Sequence, residues 1–177
     1  MKAPLRLNTE RLVLRKPTLA DAPEIYRRYA NDPEVTHFLS WPRHEALDAT
    51  RAFIQFSDAQ WSGSAAGPYL IELGSGLLLG STGLELETPE RAMTGYVICR
   101  DSWGRGYATE ALRAMIALAG QLGVHQLSAI CHVRNAASKR VLEKCRFKHT
   151  ADVVVAFPNL LPEESGEARR YELAITR

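Results

Sequence analysis

The run Gly95-Tyr96-Val97-Ile98-Cys99-Arg100-Asp101-Ser102-Trp103-Gly104-Arg105-Gly106-Tyr107-Ala108-Thr109-Glu110-Ala111 passes from an apolar strand through a glycine-containing turn and straight into a good helix. At such a junction the first helical N–H groups have no intrahelical partner and point outward, with the positive end of the helix dipole behind them. Gly104 and Gly106 let the backbone curl toward an anion with no Cβ in the way, and Arg105 between them adds charge. Together these features describe a cradle for a phosphate or pyrophosphate. A glycine turn can equally do no more than join a strand to a helix, so the stretch alone leaves both readings open.

Two familiar phosphate sites do not fit. The chain has no G-x-x-x-x-G-K-[ST] pattern, and the dinucleotide fingerprint G-x-G-x-x-G matches only at Gly104 and Gly106, with Thr109 in the third place. That fingerprint also expects an acidic residue about 20 positions further on, where Gly123-Val124-His125-Gln126 offers none. A dinucleotide-dependent oxidoreductase is therefore disfavoured.

Working outward, Arg11–Arg15 alternates as a short strand does, and Leu19–Ala30 reads as a helix with Leu19, Ala22, Ile25, Tyr26 and Tyr29 on one face. Asn31-Asp32-Pro33 ends it, because the residue before proline is pushed out of helical geometry. Glu45–Gln60 reads as a second helix with Ala49, Phe53 and Phe56 on one side. The runs Tyr69–Leu73, Leu77–Glu87 and Ala92–Cys99 follow as strands joined by connections of hairpin length, which predicts antiparallel pairing. After the helix that starts near Tyr107 come a strand (Gln126–Val133), a helix (Ala136–Cys145) and two strands near Phe147–Ala156 and Arg169–Thr176. The order β-α-α-β-β-β-α-β-α-β-β predicts one α/β domain over residues 1–177, a mixed sheet packed by helices on both faces.

Composition narrows the function classes. With 177 residues, 46% hydrophobic and 24% charged, the chain suits a single globular domain. Its 22 basic and 20 acidic side chains leave a formal charge of +2, too even to favour nucleic acid or a membrane surface as a partner. Cys99, Cys131 and Cys145 stand far apart, at no zinc spacing and in odd number, which predicts free thiols, no metal and a reduced, cytoplasmic setting. No apolar run has the length of a signal peptide or of a membrane span.

Trp103-Gly104-Arg105-Gly106-Tyr107-Ala108-Thr109-Glu110-Ala111 resembles the acetyl-CoA signature Q/R-x-x-G-x-G/A of the GCN5-related N-acetyltransferase (GNAT) superfamily. The form is most similar to that of its RimJ/RimL ribosomal-protein N-terminal acetyltransferase group. Asn135-Ala136-Ala137-Ser138 and Val141-Leu142-Glu143-Lys144-Cys145-Arg146-Phe147 resemble that group's N-x-x-S…L-E-K-x-G-F, while Thr9–Arg15 and Asp32-Pro33-Glu34-Val35 resemble its opening strand and first loop. The likeness runs in order along nearly the whole chain. It implies the GNAT fold, with a mixed, mostly antiparallel central sheet of about seven strands flanked by about four helices.

The resemblance also implies roles. Tyr96, Val97 and Ile98 would lie beside the pantothenate arm of acetyl-CoA, and the signature turn of Trp103, Gly104, Arg105, Gly106, Tyr107, Ala108 and Thr109 would bind the coenzyme, with its pyrophosphate on the N–H groups of Arg105–Thr109. Asn135 matches a residue that touches the coenzyme arm, and it also reads as a plain helix N-cap. The tyrosine that many relatives carry on the second helix is Leu142 here, so Ser138 becomes the expected donor to the departing sulfur, or merely a residue of a capped turn. Glu85 and Glu87 share a strand face and are the expected source of the base, against the plainer reading of solvated carboxylates. His37 and Trp41, together with the acidic loop Phe157–Ala168, are expected to line the acceptor-amine site. Arg146 replaces a left-handed glycine and is expected to cost on the order of 1 kcal/mol.

The function so implied is acetyl transfer from acetyl-CoA, without a metal, to a primary amine. The acceptor is a protein N-terminus, an aminoglycoside-like drug, a small polyamine or an amino acid. The alternative is a coenzyme-A-binding sensor or scaffold without turnover, which the intact signature makes second choice. The resemblance is compatible with a homodimer and fixes neither the acceptor nor the general base.

Overall fold

The computed structural model describes residues 3–62 and 66–175. A hairpin of β1 (Arg6–Asn8) and β2 (Leu12–Arg15) is followed by a 3-10 turn (Leu19–Asp21), α1 (Ala22–Ile25) and a π-helical turn (Tyr26–Ala30). Then come α2 (Pro33–Thr36), α3 (Leu47–Ser62), β3 (Ala66–Leu73), β4 (Leu78–Thr88) and β5 (Arg91–Ile98). The chain continues through α4 (Tyr107–Gln121), β6 (Gln126–His132), α5 (Ala136–Lys144), β7 (Lys148–Val154) and β8 (Glu167–Ala174). The strands form one sheet in the order β1-β2-β3-β4-β5-β6-β8-β7, antiparallel at every junction except β5–β6. That parallel junction needs a crossover, which α4 supplies.

The mixed, mostly antiparallel sheet is as expected, with eight strands rather than seven and five α-helices rather than four. Arg6–Asn8 is too short and polar to announce itself and becomes a strand by pairing with Val13–Arg15. The expected first helix is broken by its π turn, where Asn31 N–H bonds back to Tyr26. Directly after it Asp32 caps α2, its carboxylate accepting from the Glu34 amide at 2.9 Å. The α3 stripe is also corrected. Ala49 and Phe56 face solvent, whereas Thr50, Ile54 and Ser57 are buried with Phe53 half-buried beside them.

Each face of the sheet has its own core. On one, Leu112, Met115 and Leu118 of α4 and Leu142 of α5 pack on Leu79, Leu84, Leu127 and Tyr171. On the other, Ile25, Tyr29, Val35 and Ile54 pack on Leu70, Leu78 and Val97. These are called the α4–α5 face and the α1–α3 face below. After α5, Arg146 takes φ 67°. The Arg146 and Phe147 amides bond to Glu143 and Leu142 carbonyls, and buried Phe147 covers buried Leu142. The left-handed cap is kept although the side chain is not glycine.

Candidate active site

The site begins where two neighbouring strands part. β5 and β6 pair only over Arg91–Met93 against Gln126–Ser128. β5 meanwhile pairs with β4 as far as Ile98, and the Cys99 amide bonds to Leu79. Strand alternation then turns the N–H groups of Val97 and Cys99 to β4 and those of Tyr96 and Ile98 toward β6, into the opening. The Ile98 carbonyl is taken by the Trp103 indole N–H at 2.7 Å. What remains is a short free strand edge at the sheet's centre, able to bond an extended ligand as an added strand would.

Both faces close over this opening. On the α4–α5 face the Tyr96 hydroxyl crosses to α5, lying 2.9 Å from Ser138 Oγ and donating to the Ser138 carbonyl at 3.2 Å. The Asn135 side chain accepts from the Ser138 amide at 3.0 Å, so its capping role is realised. Burial pushes the Tyr96 phenol well above its ordinary pKa, keeping it a neutral donor. Burial likewise raises the Cys131 thiol, with Ser138 nearby as an opposing hydrogen-bond partner. On the α1–α3 face, Val35 of α2 packs with Val97 and Cys99, while Phe38 stacks on His132 at the end of β6 with ring centroids 4.6 Å apart.

Beyond β5 the chain makes the expected turn. Gly104 and Gly106 take φ 75° and 82°, left-handed values that glycine adopts without strain, and Gly106 is the N-cap of α4 with no side chain capping it. Among the described residues the Tyr107, Ala108 and Thr109 amides have no hydrogen-bond partner. A groove of ≈ 810 Å³ opens here, edged by Arg11, Arg113 and Lys144 beside Gly106 and Thr109. Glu10 and Glu110 line it too, yet the three cations outnumber the two carboxylates, and with the exposed amides this suits an anion.

A clasp that the sequence did not disclose holds this turn. Glu110 accepts from the Thr9 hydroxyl at 2.6 Å, from the Arg11 amide at 2.8 Å and from Arg11 Nε at 2.7 Å. The same guanidinium donates to the Arg105 carbonyl and lies over the Tyr107 ring. Burial pushes the Glu110 carboxyl up, but the Thr9 and Arg11 donors outweigh it and hold its pKa below the usual glutamate value. On the other side Arg28 bonds both Asp101 and the Leu78 carbonyl, tying the start of the turn to β4.

The two loops expected to line the acceptor site do meet. Asn159 donates to the Thr36 and Trp41 carbonyls, each at 2.8 Å, and accepts from the Arg43 amide at 2.7 Å. Trp41 is half-buried against the α1–α3 core, and the His37 ring lies against Glu164. Glu85 and Glu87 are exposed, alternating with the inward Leu84 and Leu86, and have no ion-pair partner among the described residues. The structure thus brings Ser138, Tyr96 and Asn135 together on one face and His37 and Trp41 into the linked loops on the other. Val97 points into the α1–α3 core, and only its backbone neighbours reach the opening. No group of three or more metal-ligating side chains occurs among the described residues, and none of their helices is long and apolar enough to cross a membrane.

Residues 11–148 match the model of the acetyltransferase (GNAT) domain family. An uncharacterized N-acetyltransferase p20 from Bacillus licheniformis is 31% identical over 146 residues, covering 80% of this chain and 82% of that protein. Among solved structures, a GNAT-family acetyltransferase from Bacillus anthracis superposes with a TM-score of 0.81 at 21% identity, covering 96% of this chain and 98% of the other. RimL, a ribosomal L7/L12 alpha-N-protein acetyltransferase in complex with coenzyme A, superposes with a TM-score of 0.83 at 20% identity, covering 97% of each chain.

Proposed function

The chain belongs to the GNAT acetyltransferase family, and on that premise we propose that it transfers the acetyl group of acetyl-CoA to a primary amine of a protein N-terminus or a small molecule. The observation that carries this reading is the free β5 edge at Tyr96 and Ile98 running directly into the uncapped start of α4. The pantetheine arm would bond the Tyr96 and Ile98 edge. The pyrophosphate would rest on the amides of Arg105–Thr109, with Arg11, Arg113 and Lys144 adding positive charge. The fit to RimL, whose described partner is a ribosomal-protein N-terminus, supports a protein amine as one acceptor class.

In the reaction a neutral amine attacks the thioester carbonyl, a C–N bond forms, the C–S bond breaks, the amine loses one proton and the sulfur gains one. Of that edge, the Tyr96 amide would bond the arm itself and the Ile98 amide would donate to the thioester carbonyl oxygen as negative charge develops there. The Ser138 hydroxyl, which can accept from the Tyr96 hydroxyl at 2.9 Å, would donate to the departing sulfur. Direct attack without an acetyl-enzyme is favoured, because the buried Cys131 stays a protonated, poorly nucleophilic thiol. Three free cysteines fit a reduced, cytoplasmic setting.

The test is free-thiol release from acetyl-CoA by the purified protein, offered serine- and alanine-initiated peptides, spermidine, kanamycin and free amino acids. Thiol release with mass spectrometry locating one acetyl on an amine is the expected result. Tight coenzyme binding with no release above the uncatalysed rate would favour the sensor reading instead.

A further inference from the structure

The α1–α3 face of the opening carries a paired histidine that the coenzyme site leaves unused. His37 follows α2, and its Nε2 lies 3.3 Å from Glu164 Oε1 and 3.2 Å from Oε2. The Glu164 side chain is only 8% exposed, and its other bonds come from the Leu161 amide at 2.9 Å and the Arg134 guanidinium. A carboxylate so occupied has little capacity left for an incoming ammonium, so Glu164 is not itself the amine-binding group. The Leu161 amide, then the His37 ring and Arg134, hold its carboxyl below the usual glutamate range against the opposing effect of burial.

An ionised carboxylate only accepts hydrogen bonds, so Nε2 must carry the hydrogen that it shares with Glu164. In the neutral ring this leaves Nδ1 with a free lone pair, and Nδ1 has no partner among the described residues. The next residue, Phe38, stacks on His132, and Val35, two residues before His37, packs with Val97. His37 therefore stands on the stretch of chain that runs from β5 to the end of β6, on the sheet face opposite Ser138.

We propose that His37 is the base that takes the acceptor amine's proton at Nδ1, with Glu164 as the positioning residue that fixes the ring in its Nε2–H form. This rests on the acetyl-transfer reading of the same site. As the C–N bond forms, one proton passes from the amine nitrogen to Nδ1, and the new imidazolium charge lies against Glu164. The C–S electron pair leaves on the sulfur, which takes the Ser138 hydroxyl proton as solvent reprotonates Ser138 Oγ, and His37 returns its proton to solvent.

The charged groups facing the ring are Glu164 from the β7–β8 loop and Arg134 from the turn after β6. His132, behind Phe38, has both nitrogens engaged, by the Ser165 carbonyl and the Arg134 amide. Asp32 and Glu34, on the α2 side, are paired with Arg100. Glu85 and Glu87 lack any such orienting partner among the described residues, and a base needs both reach and a fixed geometry.

His37→Gln, Glu164→Gln, Glu85→Gln and Glu87→Gln decide the matter. Calorimetry should give all four wild-type affinity for acetyl-CoA. With the amine that turns over fastest in the panel above, His37→Gln should lower kcat roughly 100-fold and remove the acidic limb of the pH–rate profile. Glu164→Gln should lower it roughly tenfold. A His37→Gln kcat within threefold of wild type, or the loss appearing in Glu85→Gln or Glu87→Gln instead, overturns the proposal. Nitrogen-15 NMR reads the ring without any acceptor. Nε2–H with unprotonated Nδ1 is expected in neutral wild-type protein, drifting toward a mixture in Glu164→Gln, and an Nδ1–H ring in wild type overturns the proposal as well. Failure of the wild-type protein to bind acetyl-CoA is a different result and sinks the parent reading.

Discussion

The proposed coenzyme wall of the cleft and its proposed acceptor wall are built by different means. On the coenzyme wall the working groups are backbone amides, aimed by strand alternation in β5 and by the left-handed glycines 104 and 106 at the start of α4. On the acceptor wall they are side chains joined across more than a hundred residues, as in the bonds from Asn159 to Thr36 and Trp41 or from Glu164 to His37. A backbone cradle tolerates change in the side chains around it and fails when its dihedral angles are disturbed. A side-chain wall can be altered one residue at a time, so the same coenzyme site can serve different amines.

The largest expected effect attacks the backbone wall directly. Gly106→Val places a β-branched residue at φ 82°, which costs roughly 1–3 kcal/mol and sets a side chain beside the amides proposed to hold the pyrophosphate. Calorimetry should find acetyl-CoA affinity about 100-fold weaker in a variant with wild-type circular dichroism, since 1.4 kcal/mol is tenfold. Unchanged affinity would place the pyrophosphate elsewhere.

Ser138→Ala removes a side-chain group from the same wall. Its cap bond runs through its own amide to Asn135 and survives the substitution. Under conditions where chemistry limits, kcat should fall roughly 10–100-fold, the worth of one hydrogen bond to a charged group, with acetyl-CoA affinity nearly unchanged. Tyr96→Phe should show a smaller drop in the same direction. A wild-type kcat in Ser138→Ala would leave Ser138 as a capped-turn residue only.

How much of this could be read from the chain follows the same division. The signature turn, the capping of α5 by Asn135 and the left-handed Arg146 were legible because each is decided within a few residues. The clasp of Thr9 and Arg11 on Glu110 was not, since no local pattern says that a hairpin and a helix 99 residues apart share a carboxylate. The same holds for Tyr96, whose place on a strand gave no sign that its hydroxyl reaches α5. The broken first helix escaped because a single π turn leaves the apolar spacing of Ala22, Ile25 and Tyr29 intact. The inward face of α3 was misread because its buried stripe includes Thr50 and Ser57, small polar residues that a search for apolar periodicity passes over.

The clasp gives a third, intermediate effect, on stability. Glu110→Gln should lower Tm by roughly 2–6 °C at pH 7, from a loss of about 1–2 kcal/mol in a partly exposed pair. Because the folded carboxyl titrates below its ordinary 4.5, its stabilisation is complete above that pH and is lost as pH falls through the folded value. The gap between wild type and variant should therefore close in acid, and a gap that widened there would contradict the ion pair. Smallest is Arg146→Gly, which relieves a non-glycine residue at φ 67° and should raise Tm by roughly 2–4 °C, about 1 kcal/mol, with no change in kcat.

The most direct measurement is amide hydrogen exchange, followed by NMR, at Tyr96 and Ile98 with and without acetyl-CoA. Both amides turn toward β6 beyond Met93, where the pairing of the two strands ends. If the coenzyme arm adds to β5 as a strand would, these two amides should slow by at least roughly tenfold at saturation, while those of Val97 and Cys99, already bonded to β4, change little. Saturating acetyl-CoA that leaves Tyr96 and Ile98 exchanging as before, with protection arising elsewhere, would contradict the placement of the coenzyme in the opening between β5 and β6.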